Sequence, residues 1–128
     1  MTVAFWCVFI ACLLPILTAG VGGYYRGKQF GKADNKHPRA QYAQLEGAGA
    51  RAYAAQQNAW EALPVFTAAV LIAHLAGVDA AKSAIAAEVF IVARVLYPIF
   101  YITNKDALRS LMFMVGFGAC ISLFVMAA

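Results

Sequence analysis

Charge is what this sequence has least of. Ten Lys or Arg and six Asp or Glu make up only 12% of its 128 residues, whereas soluble domains carry about 25%. Apolar residues fill 63% of the chain and mean hydropathy is +0.71. A soluble enzyme with one buried core and a disordered tail are excluded on those grounds, and so is a nucleic-acid reader, which needs cations on a polar surface. The same arithmetic excludes a repeat array of 20 to 50-residue units. Cysteine is sparse as well: Cys7, Cys12 and Cys120 lie inside apolar stretches, none in C-x-x-C spacing, and the two histidines, His37 and His74, stand far from them. This pattern does not make a zinc or redox centre, and the thiols are expected to be small buried hydrophobes with no metal bound.

What is there is long apolar runs. A bilayer-spanning helix needs about 20 residues, so four of them fit in this chain with short connections. The first run covers 3–23, contains Pro15 and closes on Gly20, Gly22 and Gly23. A cleaved signal peptide is the rival reading, because Thr18, Ala19 and Gly20 resemble a cleavage site, but no Lys or Arg precedes the run. Further helices are expected over 47–75, 82–102 and 107–128, separated by the short turns 77–80 and 103–106. The fold class that follows is an all-α membrane protein, an antiparallel bundle of four transmembrane helices in one domain over 1–128. Pro64 and Pro98 mark places where a helix is expected to kink. Small residues four apart, Ala80 with Ala84, Ser83 with Ala87 and Gly118 with Ser122, allow close helix approach.

The formal charge of +4 and the pI near 9.1 read as topology. The polar segment from Tyr24 to Glu46 carries Arg26, Lys28, Lys32, Lys36 and Arg39, and the turn after the third helix adds Lys105 and Arg109, whereas the opposite side has Lys82 alone. The positive-inside rule puts the basic loops in the cytoplasm and both termini on the other side.

An ionisable group at membrane depth costs about 2.5–3.5 kcal/mol on insertion scales, so each one needs a partner or a purpose. Here they cluster. At 100° per residue Arg51, Gln57, Asn58 and Glu61 fall within an arc of about 120° on the second helix, and Arg94, Tyr97 and Tyr101 within about 60° on the third. Rise per residue puts Arg94 about 13 Å from the cytoplasmic end and Glu61 about 20 Å along its helix, so the two stripes can meet. Arg109 and Ser110 enter the fourth helix from the same side. Three arginines against one glutamate favour a receptor for a small polyanionic ligand, against a bland alternative in which Glu61 and Arg94 form a structural ion pair. His74 and Glu88, near the far ends of their helices, are expected to pair or snorkel, and Gln56 to bond a neighbouring helix or subunit.

Taken together, Arg51-Ala-Tyr-Ala-Ala-Gln-Gln-Asn58-Ala-Trp-Glu61-Ala-Leu-Pro64-Val-Phe66, then Ala93-Arg94-Val-Leu-Tyr97-Pro-Ile-Phe-Tyr101, then Leu108-Arg109-Ser110 resemble the MAPEG family, the membrane-associated proteins in eicosanoid and glutathione metabolism. The resemblance covers nearly the whole chain. It implies a homotrimer that binds glutathione as co-substrate between subunits near the cytoplasmic side, with lipophilic small-molecule substrates arriving through the membrane lipid. Carried over by residue, it implies glutathione contacts from Asn58, Glu61, Arg94, Tyr97 and Tyr101. Arg109 then stands near the thiol, with Ser110 beside it, as the catalytic pair. Arg51 joins the binding set as a holder of carboxylate. Arg26 matches a further ligand arginine only loosely. Gln57 stands where several eukaryotic members carry arginine, and Phe113 where the prostaglandin synthase of the family carries tyrosine; both changes point away from eicosanoid chemistry, and the compact length resembles bacterial members of an inner membrane. The function expected is a membrane glutathione transferase or peroxidase. A non-catalytic lipid-binding or accessory subunit of a larger membrane complex is the alternative, and a proton or ion relay through Glu61 and Arg94 is a third reading, weakened because the stripe opens to one side.

Overall fold

The computed structural model describes all residues, Met1–Ala128. It is entirely helical: α1 Val3–Phe30, α2 Pro38–Ala43, α3 Gly47–Leu75, α4 Ala80–Ile102 and α5 Asp106–Ala127. Four of these, α1, α3, α4 and α5, are long and apolar enough to cross a membrane. Side chains cap two of their starts. Thr2 Oγ1 accepts from the Phe5 N–H at 3.3 Å, and Asp79 Oδ1 from the Lys82 N–H at 3.0 Å, so α4 begins two residues before the expected start at 82. Left-handed Gly77 and Asn104, at φ 76° and 61°, close the two short turns. α1, α3 and α4 run on through Pro15, Pro64 and Pro98.

The largest departure from the sequence reading is at the end of α1. The glycine cluster does not stop it; the helix continues to Phe30 and ends at Gly31, whose φ of 78° only glycine adopts without strain. The expected long loop is therefore partly helix, and the rest is folded back and fastened. Arg26, 6% exposed, is the fastener. Its Nε donates to Gln41 Oε1 at 2.8 Å, its Nη2 to the Asp34 carbonyl at 2.6 Å, and the Tyr42 ring lies 4.7 Å from the guanidinium carbon. Tyr42 in turn donates to the Ala19 carbonyl at 3.2 Å. Gly22 makes room for that ring, since a Cβ there would stand 2.8 Å from Tyr42 Cε1. Gly22→Val is accordingly expected to lose about 1–3 kcal/mol and to speed proteolytic cleavage within 31–46, while substitution at Gly23, where a Cβ meets nothing within 4 Å, leaves cleavage unchanged.

Asp34 ties the same segment. Its Oδ1 accepts the Lys36 N–H at 2.7 Å and the His37 N–H at 3.2 Å. Those two N–H groups hold the carboxyl below its ordinary 3.8. A depressed folded pKa contributes stability that is fully present above the ordinary value and is lost as pH falls through the lowered one. Amide exchange at Lys36 and His37 should therefore accelerate over its intrinsic rate only below pH 3.8; acceleration near neutrality would contradict the assignment.

Across the bundle, α3 and α4 are the central pair, α1 packs on both from one side and α5 from the other, and α1 and α5 do not approach each other. The core lies in the half nearest the two termini. It is built mostly of small residues, Ala4, Cys7 and Ala11 from α1, Ala69 and Ala73 from α3, Ala86 and Ala87 from α4, Ala119 and Cys120 from α5, which let helices meet closely in lipid. Phe66 and Phe90 stack at its centre, with ring centroids 3.8 Å apart and planes within 6°. Cys7 and Cys120 are buried and all three thiols are free. Ser83 and Ala87 are buried between helices, whereas Ala80 and Gly118 face outward. Only 26 residues are buried, and large apolar side chains such as Trp6, Leu17, Ile85 and Val125 point outward, as a chain dissolved in lipid requires. His74 and Glu88 do not pair; the His74 ring meets Phe5 edge-on at 4.9 Å.

Candidate functional site

The other half of the bundle, toward the basic segment, is where the polar stripes meet. Arg94 sits on the inward face of α4 and is 4% exposed. A full charge at that burial ordinarily carries a carboxylate partner. Arg94 has none in direct contact: the one carboxylate that meets a basic side chain is Asp34, whose partner is the His37 ring at 3.5 Å. The direct Glu61–Arg94 pair of the bland reading does not form. Instead Arg94 Nη2 donates to Asn58 Oδ1 at 2.8 Å, and Asn58 Nδ2 donates to Glu61 Oε2 at 3.1 Å. Asn58 thus satisfies both neighbours without neutralising the guanidinium. Its i,i+3 spacing from Glu61 on α3 makes this bridge possible.

Aromatic rings continue the line toward the end of α4. The Arg94 guanidinium carbon lies 4.4 Å from the Tyr97 ring centroid and that of Arg109 lies 4.5 Å from Tyr101. The two tyrosine rings meet edge-on at 5.7 Å. Each arginine is therefore steered by a ring face, which attracts the cation without discharging it. Gly116 of α5 packs against this row, at a place where a Cβ would meet Arg94 Cδ at an ordinary contact distance of 3.4 Å.

Two crevices open along the row. One, of about 230 Å³, is lined by Asn58, Glu61, Ala62 and Val65 from α3, Phe90 and Arg94 from α4, and Phe113, Gly116, Phe117 and Cys120 from α5. The second, of about 300 Å³, is lined by Tyr97, Tyr101, Arg109, Ser110, Phe113 and Met114. Phe113 belongs to both. One crevice thus sets a few hydrogen-bonding and cationic groups among apolar side chains, the pattern of a small-molecule site.

Seven of the eight residues singled out from the sequence, Asn58, Glu61, Arg94, Tyr97, Tyr101, Arg109 and Ser110, line these crevices. Arg51 does not. Its Nε and Nη2 both donate to the Ile102 carbonyl at 3.1 Å, tying the start of α3 to the end of α4, where helix carbonyls lack intrahelical partners. Arg26 belongs to the folded-back segment described above and lines neither crevice. Sequence reasoning reads the Phe117 ring as lipid or packing surface and Cys120 as a small buried hydrophobe, passes over Gly116, and treats Phe113 only as a departure, yet all four line the first crevice. Continuing the face of α5 onward from Ser110 at three- and four-residue steps reaches all four. Gln56 Oε1 is buried with no partner within the chain.

Comparison with known proteins agrees with this arrangement of spans. No curated protein and no solved structure matches the chain, but the model of the MAPEG family does, over residues 3–128. With four membrane-spanning helices and a match over essentially its whole length, the chain belongs to the MAPEG family, whose members serve glutathione-related and eicosanoid metabolism in membranes.

Proposed function

We propose that the protein is a membrane glutathione transferase or peroxidase that acts on lipophilic electrophiles. The observation that carries this reading is Arg94: a buried guanidinium without a carboxylate in direct contact, lining a crevice whose other residues are mostly apolar. Such a group is stabilised by an anionic ligand. Glutathione offers two carboxylates, an ammonium and a thiol. Arg94 takes one carboxylate, and Arg51, which keeps three of its five N–H groups after the two bonds to Ile102, takes the other. Glu61 accepts the ammonium, Asn58 holds Glu61 and Arg94 in register, and Tyr97 and Tyr101 bond the peptide backbone.

The chemistry is assigned to Arg109 and Ser110. A free thiol, with a pKa of about 8.5, is mostly protonated at neutral pH, and a guanidinium with a hydroxyl donor favours its anion. The thiolate sulfur bonds to the electrophilic carbon as the leaving group departs with the bonding electrons. With a hydroperoxide, the sulfur takes the outer oxygen and an alcohol leaves. A second glutathione thiol then forms the disulfide and releases water. Val65, Phe113 and Phe117 receive the lipophilic portion from the bilayer.

The active form is proposed to be a homotrimer, a reading supported by the outward openings of both crevices. The site then lies toward the cytoplasmic side of a bacterial inner membrane, with the termini periplasmic. Incubation of the reconstituted protein with glutathione and a chromogenic aryl halide tests the reading. Conjugation that Glu61→Ala lowers by about tenfold or more, the loss of one charged hydrogen bond, is expected. Absence of turnover, with melting unaffected by glutathione, would leave the accessory-subunit reading in its place.

A further inference from the structure

The folded-back segment at the end of α1 has a chemistry that the site does not use. Between Tyr24 and Glu46 lie five Lys or Arg and two carboxylates. The structure sorts them. Arg26 is buried and spent on Gln41, Asp34 and Tyr42. Asp34 is spent on the Lys36 and His37 N–H groups and the His37 ring. What remains is four cations, Lys28, Lys32, Lys36 and Arg39, against one carboxylate, Glu46, all exposed and none in an ion pair.

Position and rigidity give this cluster its meaning. Gln41 ties Lys32 and Asp34 together, its Nε2 donating to the Lys32 carbonyl at 2.9 Å and its Oε1 accepting the Asp34 N–H at 2.9 Å. Gln29 bonds Gln44 and Glu46, and Tyr42 reaches back along α1 to Ala19, within the apolar run. Four free cations are therefore held by a hydrogen-bonded frame at the point where α1 leaves the hydrocarbon. Exposed Tyr24 and Phe30, 64% and 36% accessible, stand on the same last turns of α1 as Lys28, and aromatic side chains favour the membrane interface. A mobile polybasic loop would lose more side-chain and backbone freedom on binding.

We infer that the frame built on Arg26 and Gln41 is a docking surface for anionic lipid headgroups of the adjoining leaflet, read by Lys28, Lys32, Lys36 and Arg39. The ligand chemistry is a phosphodiester anion fixed at the membrane surface. The inference is independent of the glutathione reading, because it uses none of those residues.

The test reconstitutes the full protein in bilayers of phosphatidylcholine containing spin-labelled phosphatidylglycerol or spin-labelled phosphatidylcholine, and measures which lipid the protein holds at its surface. Wild type is expected to prefer the anionic lipid, the preference falling as salt rises from about 0.01 to 1 M, as the Debye length shrinks from about 30 to 3 Å. Each neutralisation, such as Lys32→Gln, lowers the preference by up to about fivefold. Replacement of all four cations by glutamine brings it close to unity, and Lys82→Gln at the opposite end leaves it unchanged. Helicity by circular dichroism identifies a variant that has not folded, in which case the single substitutions and the salt titration of wild type decide. Equal retention of both lipids by wild type, an equal effect of Lys82→Gln, or complete displacement by millimolar inorganic phosphate, the mark of a site for free anions, would overturn the inference.

Discussion

Arg94→Ala is expected to weaken glutathione binding about 100-fold, while turnover at saturating glutathione falls by less than about tenfold. Truncating one partner of a buried charged pair costs 2–5 kcal/mol, and 1.4 kcal/mol is a factor of ten. The structure gives the reason for the asymmetry. Arg94 is held in place before any ligand arrives, by Asn58 at 2.8 Å and the Tyr97 ring at 4.4 Å. Its charge is therefore ready to pair with carboxylate in both ground and transition states, which is uniform binding and appears in Kd and KM. Equilibrium binding and steady-state kinetics on the same preparation check this. Arg94→Lys keeps the charge but loses the planar fork, so only partial recovery is expected. A variant that binds as wild type does would show that the buried charge answers to something other than the ligand.

Arg109→Ala is expected to do the reverse: kcat falls by about 100- to 1,000-fold, the range for removing one preorganised donor to a developing anion, and glutathione affinity changes by only a few-fold. Arg109 is steered by the Tyr101 ring at 4.5 Å and shares its crevice with Ser110. The ultraviolet absorbance of bound thiolate supplies a direct readout, expected in wild type at pH 7 and lost in the variant. Equal losses of affinity and turnover in both arginine variants would erase the division between holding the ligand and ionising its sulfur.

Much of this was legible in the sequence because lipid is a demanding solvent. Four apolar runs had to be helices, and polar residues placed within them at helical spacing had to share a face, which brings Asn58 and Glu61 to Arg94 from angle and depth, although Glu61 and Gln57 of that stripe stay exposed. What angle and depth do not fix is the partner that each polar head selects. Arg94 meets Asn58 rather than Glu61, because the amide lies one turn nearer and can serve both. Arg51 shares the stripe yet turns to the Ile102 carbonyl, a helix-end acceptor that no side-chain pattern displays. The end of α1 misled for a similar reason. Gly20, Gly22 and Gly23 look like a stop, but Gly22 is small to admit Tyr42, and the clamp of Arg26 on Gln41 and Asp34 spans separations at which periodicity carries no information.

The most direct test of the central claim is the melting temperature of the reconstituted wild-type protein, measured with and without glutathione and repeated with Arg94→Ala. A ligand that binds only the folded state stabilises it by about 2.7 kcal/mol at 100 times its Kd. A saturable rise is expected for wild type and its loss for the variant. A wild-type melting temperature that stays constant up to saturating millimolar glutathione would contradict it.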